Sequence, residues 1–261
     1  MQIDLRQKRA LVGGSSKGIG LAIAQQLAAS GASVCLMARS ADRLKQIVAE
    51  LPTDQGQKHH FLEIDYALKD HYRRTLKDYI NQHPIDILVN NTQGPPGGGA
   101  LEKDLDDYQA AFDLLFKSVV YATQLALPHM QKQAWGRVIN VASVSVQEPL
   151  NYLALSNSIR AAVVTWAKTL ATDVAPSGIT VNNVLTGYFD TDRIAQLNAK
   201  KAEKMGVDPQ EVRDAMEKQV PVGRIGDPKE YGYLVAFLAS EQAAYLTGTN
   251  IPLDGGLLKS L

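Results

Sequence analysis

The chain has a single cysteine, so no disulfide framework is open to it. Cys35 lies in the apolar run Val34-Cys35-Leu36-Met37, where a buried, unreactive thiol is expected. Metal-binding patterns are missing as well. The histidines are scattered, with no H-x-x-x-H spacing and no Cys/His cluster, so a metal site is not expected. Neither sign of charge dominates: lysine plus arginine number 27, as do aspartate plus glutamate. Without a long basic run, neither nucleic acid nor an anionic membrane is an expected partner. Apolar runs are short, and none reads as long enough to span a bilayer. The opening residues Met1-Gln2-Ile3-Asp4-Leu5-Arg6 carry no signal-like apolar core. A soluble, cytoplasmic protein is expected.

What is present is an alternation. Short apolar, β-branched runs read as strands at residues 10–13, 33–38, 60–64, 85–89, 137–141, 179–184 and 249–253. Segments of helical period separate them, at 19–30, 41–51, 68–82, 105–132, 151–174 and 229–239. Gly31 just past one helix and Asp227-Pro228 opening another are stop and start signals. Continuous apolar strands alternating with helices predict an α/β fold, a single Rossmann-type doubly wound parallel β-sheet with helices on both faces. No linker or composition break divides residues 1–261, a length within reach of one domain. Two stretches leave the rhythm. Gly94-Pro95-Pro96-Gly97-Gly98-Gly99 follows a strand on the edge where such sheets bind ligands. The charged insertion at about 188–219 reads either as a helical lid or as a solvated surface excursion.

Between the first strand and first helix stands Gly13-Gly14-Ser15-Ser16-Lys17-Gly18-Ile19-Gly20. Glycines there let the backbone turn tightly against a pyrophosphate, and the helix N-terminus offers unpaired N–H groups. That placement makes Gly14, Ser16, Gly18, Ile19 and Gly20 candidate dinucleotide contacts. An acid about 20 residues on would accept from a ribose 2′-hydroxyl, whereas an arginine suits a 2′-phosphate. Counting from Gly18 reaches Ala38-Arg39-Ser40, with no acid. A cation is unfavourable at the start of a helix, so a ligand anion gives Arg39 a reason to be there. With Lys17 as a second cation in the phosphate turn, NADP(H) is the expected cofactor.

These motifs, in this order, resemble the classical short-chain dehydrogenase/reductases, and the resemblance covers nearly the whole chain. Asp65 matches the aspartate that in this family meets the adenine. Asn90-Asn91-Thr92-Gln93-Gly94 resembles the N-N-A-G stretch, with Gln93 intruding, and marks Asn91 and Gly94 as cofactor contacts. Val181-Asn182-Asn183-Val184-Leu185-Thr186-Gly187 resembles V-N-x-V-x-P-G, with Thr186 in place of proline, and Thr191 matches a threonine at the nicotinamide end. The segment from Val220-Pro221-Val222-Gly223-Arg224 to Asp254-Gly255-Gly256 is similar to 3-oxoacyl-(acyl-carrier-protein) reductases.

The resemblance implies hydride transfer on a carbonyl/alcohol pair. A tyrosine in Y-x-x-x-K moves the proton, a nearby serine polarises the substrate oxygen, and an asparagine on the preceding helix completes the path. Ser143 fits the serine, but thirteen residues on, at the tyrosine, stands Ser156. Arg160 takes the lysine position, and counting back from Tyr121 puts Phe116 at the asparagine. Serine is a poor general acid without a neighbouring base, and arginine keeps its proton. Arg160 is left to hold the nicotinamide ribose or to stabilise an oxyanion. Tyr152 and Tyr188 are displaced phenols, read either as substitute acids or as aromatic contacts at the substrate mouth. Two functions stay open: an NADP(H)-dependent oxidoreductase, of 3-oxoacyl type, with non-standard catalysis, or a catalytically silent NADP(H)-binding sensor or partner protein. A small-molecule substrate follows from the first. Apolar stripes on 105–132 and 151–174 exceed what one sheet face can cover, and the resemblance implies that the remainder pairs with a second copy, giving a homo-oligomer, dimer or tetramer.

Overall fold

The protein is described here by a computed structural model of residues 3–260. Seven parallel strands form one sheet: β1 (Arg9–Gly13), β2 (Ser33–Ala38), β3 (His60–Glu63), β4 (Ile87–Asn90), β5 (Gly136–Val141), β6 (Ile179–Thr186) and β7 (Asn250–Leu253). Their order is β3-β2-β1-β4-β5-β6-β7, so the direction of winding reverses between β1 and β4. In open α/β sheets a crevice for ligands opens at that reversal, above the carboxyl ends of the strands.

Alternation along each strand sorts its side chains into two cores. Ala10, Val12, Val34, Leu36, Ile87 and Val89 pack under α1 (Gly18–Ala29), α2 (Ala41–Glu50) and α9 (Pro228–Ala239). Leu11, Cys35, Met37, Leu88 and Val138 pack under α3 (Lys69–Gln82), α5 (Ser118–Lys132) and α6 (Ala154–Val174). α1 and α9 lie close because Gly232 has no side chain, and a Cβ there would stand 2.8 Å from the Ala22 carbonyl oxygen. Cys35 is buried as expected, and burial pushes its thiol pKa up to about 12, which suppresses the reactive thiolate.

Helices depart from the sequence reading in two places. Segment 105–132 is α4 (Leu105–Phe112) joined to α5 through a π turn at Asp113–Lys117. The resulting rod corrects the expectation about bilayers. Leu105–Lys132 is long and apolar enough to cross one, with an 18-residue window of mean hydropathy 1.3, of which 39% is buried. Its apolarity instead serves the sheet, since Ala122, Ala126 and Met130 are core residues. Second, α6 starts at Ala154, so Tyr152 lies in the turn before it rather than on the helical face of Ser156. The insertion is helical, in keeping with one of its two readings, as α7 (Asp192–Met205) and α8 (Pro209–Gln219).

A chain of amides crosses the right half of the sheet. Asn90, Asn140, Asn183 and Asn250 occupy matched positions on β4 to β7. Each side-chain N–H donates to the next carbonyl oxygen at 2.9 Å. Asn140 is 1% exposed, so its neighbours find no water if it is removed. Asn140→Ala should therefore destabilise the fold by about 1–3 kcal/mol, since the Asn183 carbonyl oxygen loses its donor while Asn90 keeps Thr123 at 3.2 Å. Guanidinium chloride unfolding checks this, and a loss below about 1 kcal/mol would show the amide chain to be dispensable.

Candidate functional site

The phosphate turn is built as its glycines require. Gly14 and Gly18 have φ of +55° and +57°, and a Cβ at Gly20 would lie 2.2 Å from the Gly14 carbonyl oxygen. Ser15 ties the turn to β2: its hydroxyl donates to Val12 O and accepts from Met37 N, both at 2.9 Å. Asn91, at the end of β4, donates to the carbonyls of Gly13 and Gly14 at 3.0 and 3.4 Å. It therefore shapes the cradle from beneath. No side chain caps α1, so the first-turn N–H groups of Gly18, Ile19 and Gly20 lack intrahelical partners at a positive dipole end. Ser16 is half-buried within this turn. These features fit a dinucleotide's pyrophosphate.

Arg39 and Ser40 are exposed at the carboxyl end of β2, and Ser40 does not spend its side chain on capping α2. Among the described residues no carboxylate pairs with Arg39. Lys17 differs from expectation: its ammonium is 2.9 Å from Asp192 of α7, so its charge is already matched within the chain. Asp65 follows β3 and accepts from Ala67 N at 2.9 Å. On the far side, Gly187 lets β6 pass the C-terminal segment, where a Cβ would lie 2.6 Å from Asp254 Cα. Thr191 accepts from Ile194 N at 3.4 Å, and its methyl lies over Gly18. The start of α7 thus arches over the phosphate turn.

Ser143 ends the extended segment after β5, its hydroxyl accepting from Ser145 N at 3.1 Å. Ser156 is buried in the first turn of α6, and Arg160 follows one turn later on the same face. The Arg160 guanidinium donates to the Val141 carbonyl oxygen and lines a small cavity with Asn90, Thr92, Leu115 and Asn140. Burial lowers its pKa from the ordinary arginine value, and the Tyr231 phenol pulls the other way. Arg160 remains a fixed cation.

The residue facing Arg160 from the opposing helix is Leu115, which corrects the assignment of Phe116. A π turn adds a residue to the helical repeat and so turns a different side chain inward. Phe116 instead stacks on Phe112, ring centroids 4.9 Å apart, and meets Trp166 edge-on at 6.1 Å. The cavity wall is apolar where the family resemblance implies an amide.

Tyr152, 45% exposed, and Tyr188 approach each other from the turns before α6 and after β6. Burial first, then the Tyr152 phenol, raise the Tyr188 pKa to about 12. Tyr188 is thus a weaker acid than an ordinary tyrosine. Nearby, Gly98 pairs with Leu153 in a short parallel bridge that lays the 94–99 loop along the mouth.

Tyr231 escaped the sequence reading. Fully buried on α9, its hydroxyl is 3.0 Å from the Thr186 hydroxyl and 3.4 Å from Val184 O. The signal was Thr186 itself. A hydroxyl replacing the family's proline inside a strand needs a partner.

Comparison with known proteins agrees with this geometry. Residues 14–258 match the family model described as enoyl-(acyl carrier protein) reductase. The 3-oxoacyl-[acyl-carrier-protein] reductase of Aquifex aeolicus is 33% identical, over 98% of this chain and all of that protein. The crystal structure of L-sorbose reductase from Gluconobacter frateurii, complexed with NADPH and L-sorbose, superposes with a TM-score of 0.93 at 30% identity over the full length of both chains. A 3-oxoacyl (acyl-carrier-protein) reductase of Agrobacterium tumefaciens with NADP bound gives 0.87 at 29% identity, over 98% of this chain and 96% of that one. With its reversing seven-stranded sheet, glycine-built phosphate turn and match over residues 14–258, the chain belongs to the classical short-chain dehydrogenase/reductase family.

Proposed function

We propose that this protein is an NADP(H)-dependent oxidoreductase acting on a carbonyl/alcohol pair, with 3-oxoacyl compounds among its candidate substrates. The observation that carries the reading is the cradle at Gly14–Gly20 with the unpaired Arg39 beside it. Arg39 and Ser40 would hold the 2′-phosphate, the α1 N-terminus the pyrophosphate, and Arg160 with Thr191 the nicotinamide end. When bound, the nicotinamide supplies or accepts the hydride. Ser143 polarises the substrate oxygen, and the Arg160 cation offsets negative charge developing on it. Ser156 donates one hydrogen bond without acting as an acid, so the proton comes from water through the mouth at Tyr152 and Tyr188.

The insertion at 188–219 is proposed to serve as a lid. Asp192 grips Lys17 on the phosphate turn, and Arg213 of α8 binds Asp190 with two nitrogens at 3.0 Å. A second reading, a silent NADP(H)-binding sensor, draws on one observation: among the described residues no phenol lines the cavity beside Arg160.

Tyr108, Phe112, Trp166 and Leu170 remain only half-buried on α4 and α6, which supports pairing with a second copy across those helices. Native mass spectrometry of the protein incubated with equal NADPH and NADH tests assembly and cofactor together. The expected species is a dimer or tetramer retaining chiefly NADPH. A bare monomer, or equal retention of the two nucleotides, would contradict the respective reading.

A further inference from the structure

Two acids around the cleft are ion-paired and a third accepts from a backbone N–H. Asp190 is held by Arg213, Asp192 by Lys17, and Glu102 accepts from Gly99 N at 3.2 Å. Two cations there have no carboxylate among the described residues: Arg160 on the floor and Arg193 on the rim.

Arg193 is oddly placed for a structural residue. It stands in the first turn of α7, where the helix dipole disfavours a cation. Its guanidinium crosses to the 94–99 loop and donates to the Pro95 carbonyl oxygen at 3.1 Å. A neutral carbonyl is the weaker partner, since a carboxylate takes two guanidinium N–H groups at once with full charge assistance. The same loop runs on to Leu153, beside Tyr152, so Arg193 and Tyr152 both pack against it. An exposed guanidinium beside the 94–99 loop, with no carboxylate partner among the described residues, favours an anion over a cation.

We propose that the substrate carries a carboxylate, and that Arg193 binds it while Arg160 faces the reacting oxygen. This rests on reading the cleft as an oxidoreductase's, but binding alone tests it. The probes are two matched pairs, 4-oxopentanoate with 4-oxopentanamide and gluconate with glucitol, titrated by ligand-observed NMR onto the NADP⁺-loaded protein. At least one acid should bind about tenfold or more tightly than its neutral partner. Arg193→Gln should weaken that acid by about 10–100-fold and leave the neutral partner unchanged, a charge-assisted contact being lost. Arg193→Lys, which keeps the charge but not the fork, should retain part of the preference. Absence of acid preference in both pairs, or no detectable binding of either acid at millimolar concentration, overturns the proposal. So does a loss of NADPH affinity in Arg193→Gln with acid preference intact, which would place the arginine on the cofactor's pyrophosphate. If the oxo pair consumes no NADPH and the polyol pair reduces no NADP⁺ although the acid binds through Arg193, the oxidoreductase reading fails and this one stands.

Discussion

Ser156→Tyr, Arg160→Lys and Leu115→Asn combined should raise NADPH consumption with a 3-oxoacyl thioester by about 10²–10⁴-fold over the unmodified protein. That range is what a positioned general acid ordinarily contributes. Ser156 and Arg160 lie one turn apart on α6, so a tyrosine and a lysine there would share a face. The ammonium would then stand near the phenol and ease its deprotonation. Leu115 is the third position because it lines the cavity with Arg160. Phe116→Asn serves as the control, since Phe116 packs on Phe112 and Trp166. Exchanging Leu115 for Phe116 in the triple change should forfeit part of the gain. Single changes should achieve far less than the set, because groups acting as one unit are strongly non-additive. Steady-state turnover measures all of this. Rapid reduction by the unmodified protein would remove the premise, and Tyr152→Phe and Tyr188→Phe would then show whether either phenol has become the acid.

Arg39→Asp should abolish or reverse the preference for NADPH over NADH. Arg39 is exposed at the end of β2 with no carboxylate partner, so removing it leaves the fold's own contacts untouched. Losing one charge-assisted phosphate contact costs about 1.5–3 kcal/mol. The new carboxylate adds repulsion against a 2′-phosphate and can accept from a 2′-hydroxyl, so NADH affinity should hold or improve. Lys17 is a poor substitute because Asp192 already binds it. Calorimetric titration of both nucleotides decides the matter. An unchanged NADPH affinity in Arg39→Asp would remove this residue from the cofactor site.

Much of the architecture was legible because it rests on local rules. Parallel strands buried on both faces must be continuously apolar, which is why 33–38 matched β2 residue for residue. The phosphate turn was legible because glycine adopts the positive φ of residues 14 and 18 without strain. The thirteen-position step from Ser143 likewise set the expectation that Ser156 stands at the family's tyrosine. What the linear text could not hold were relations between distant elements. It showed Lys17 as a free cation, because Asp192 is 175 residues away. It pointed to Phe116 because a π turn changes the inward face of a helix without changing the composition that predicts the helix. It passed over Arg193 and Tyr231, whose partners, Pro95 and Thr186, are 98 and 45 residues distant. The sequence by itself determined the fold and the cradle, since periodicity and glycine geometry are local. Tertiary structure alone decided which charges are already matched and which side chains face the cavity, since pairing depends on where the sheet brings remote segments together.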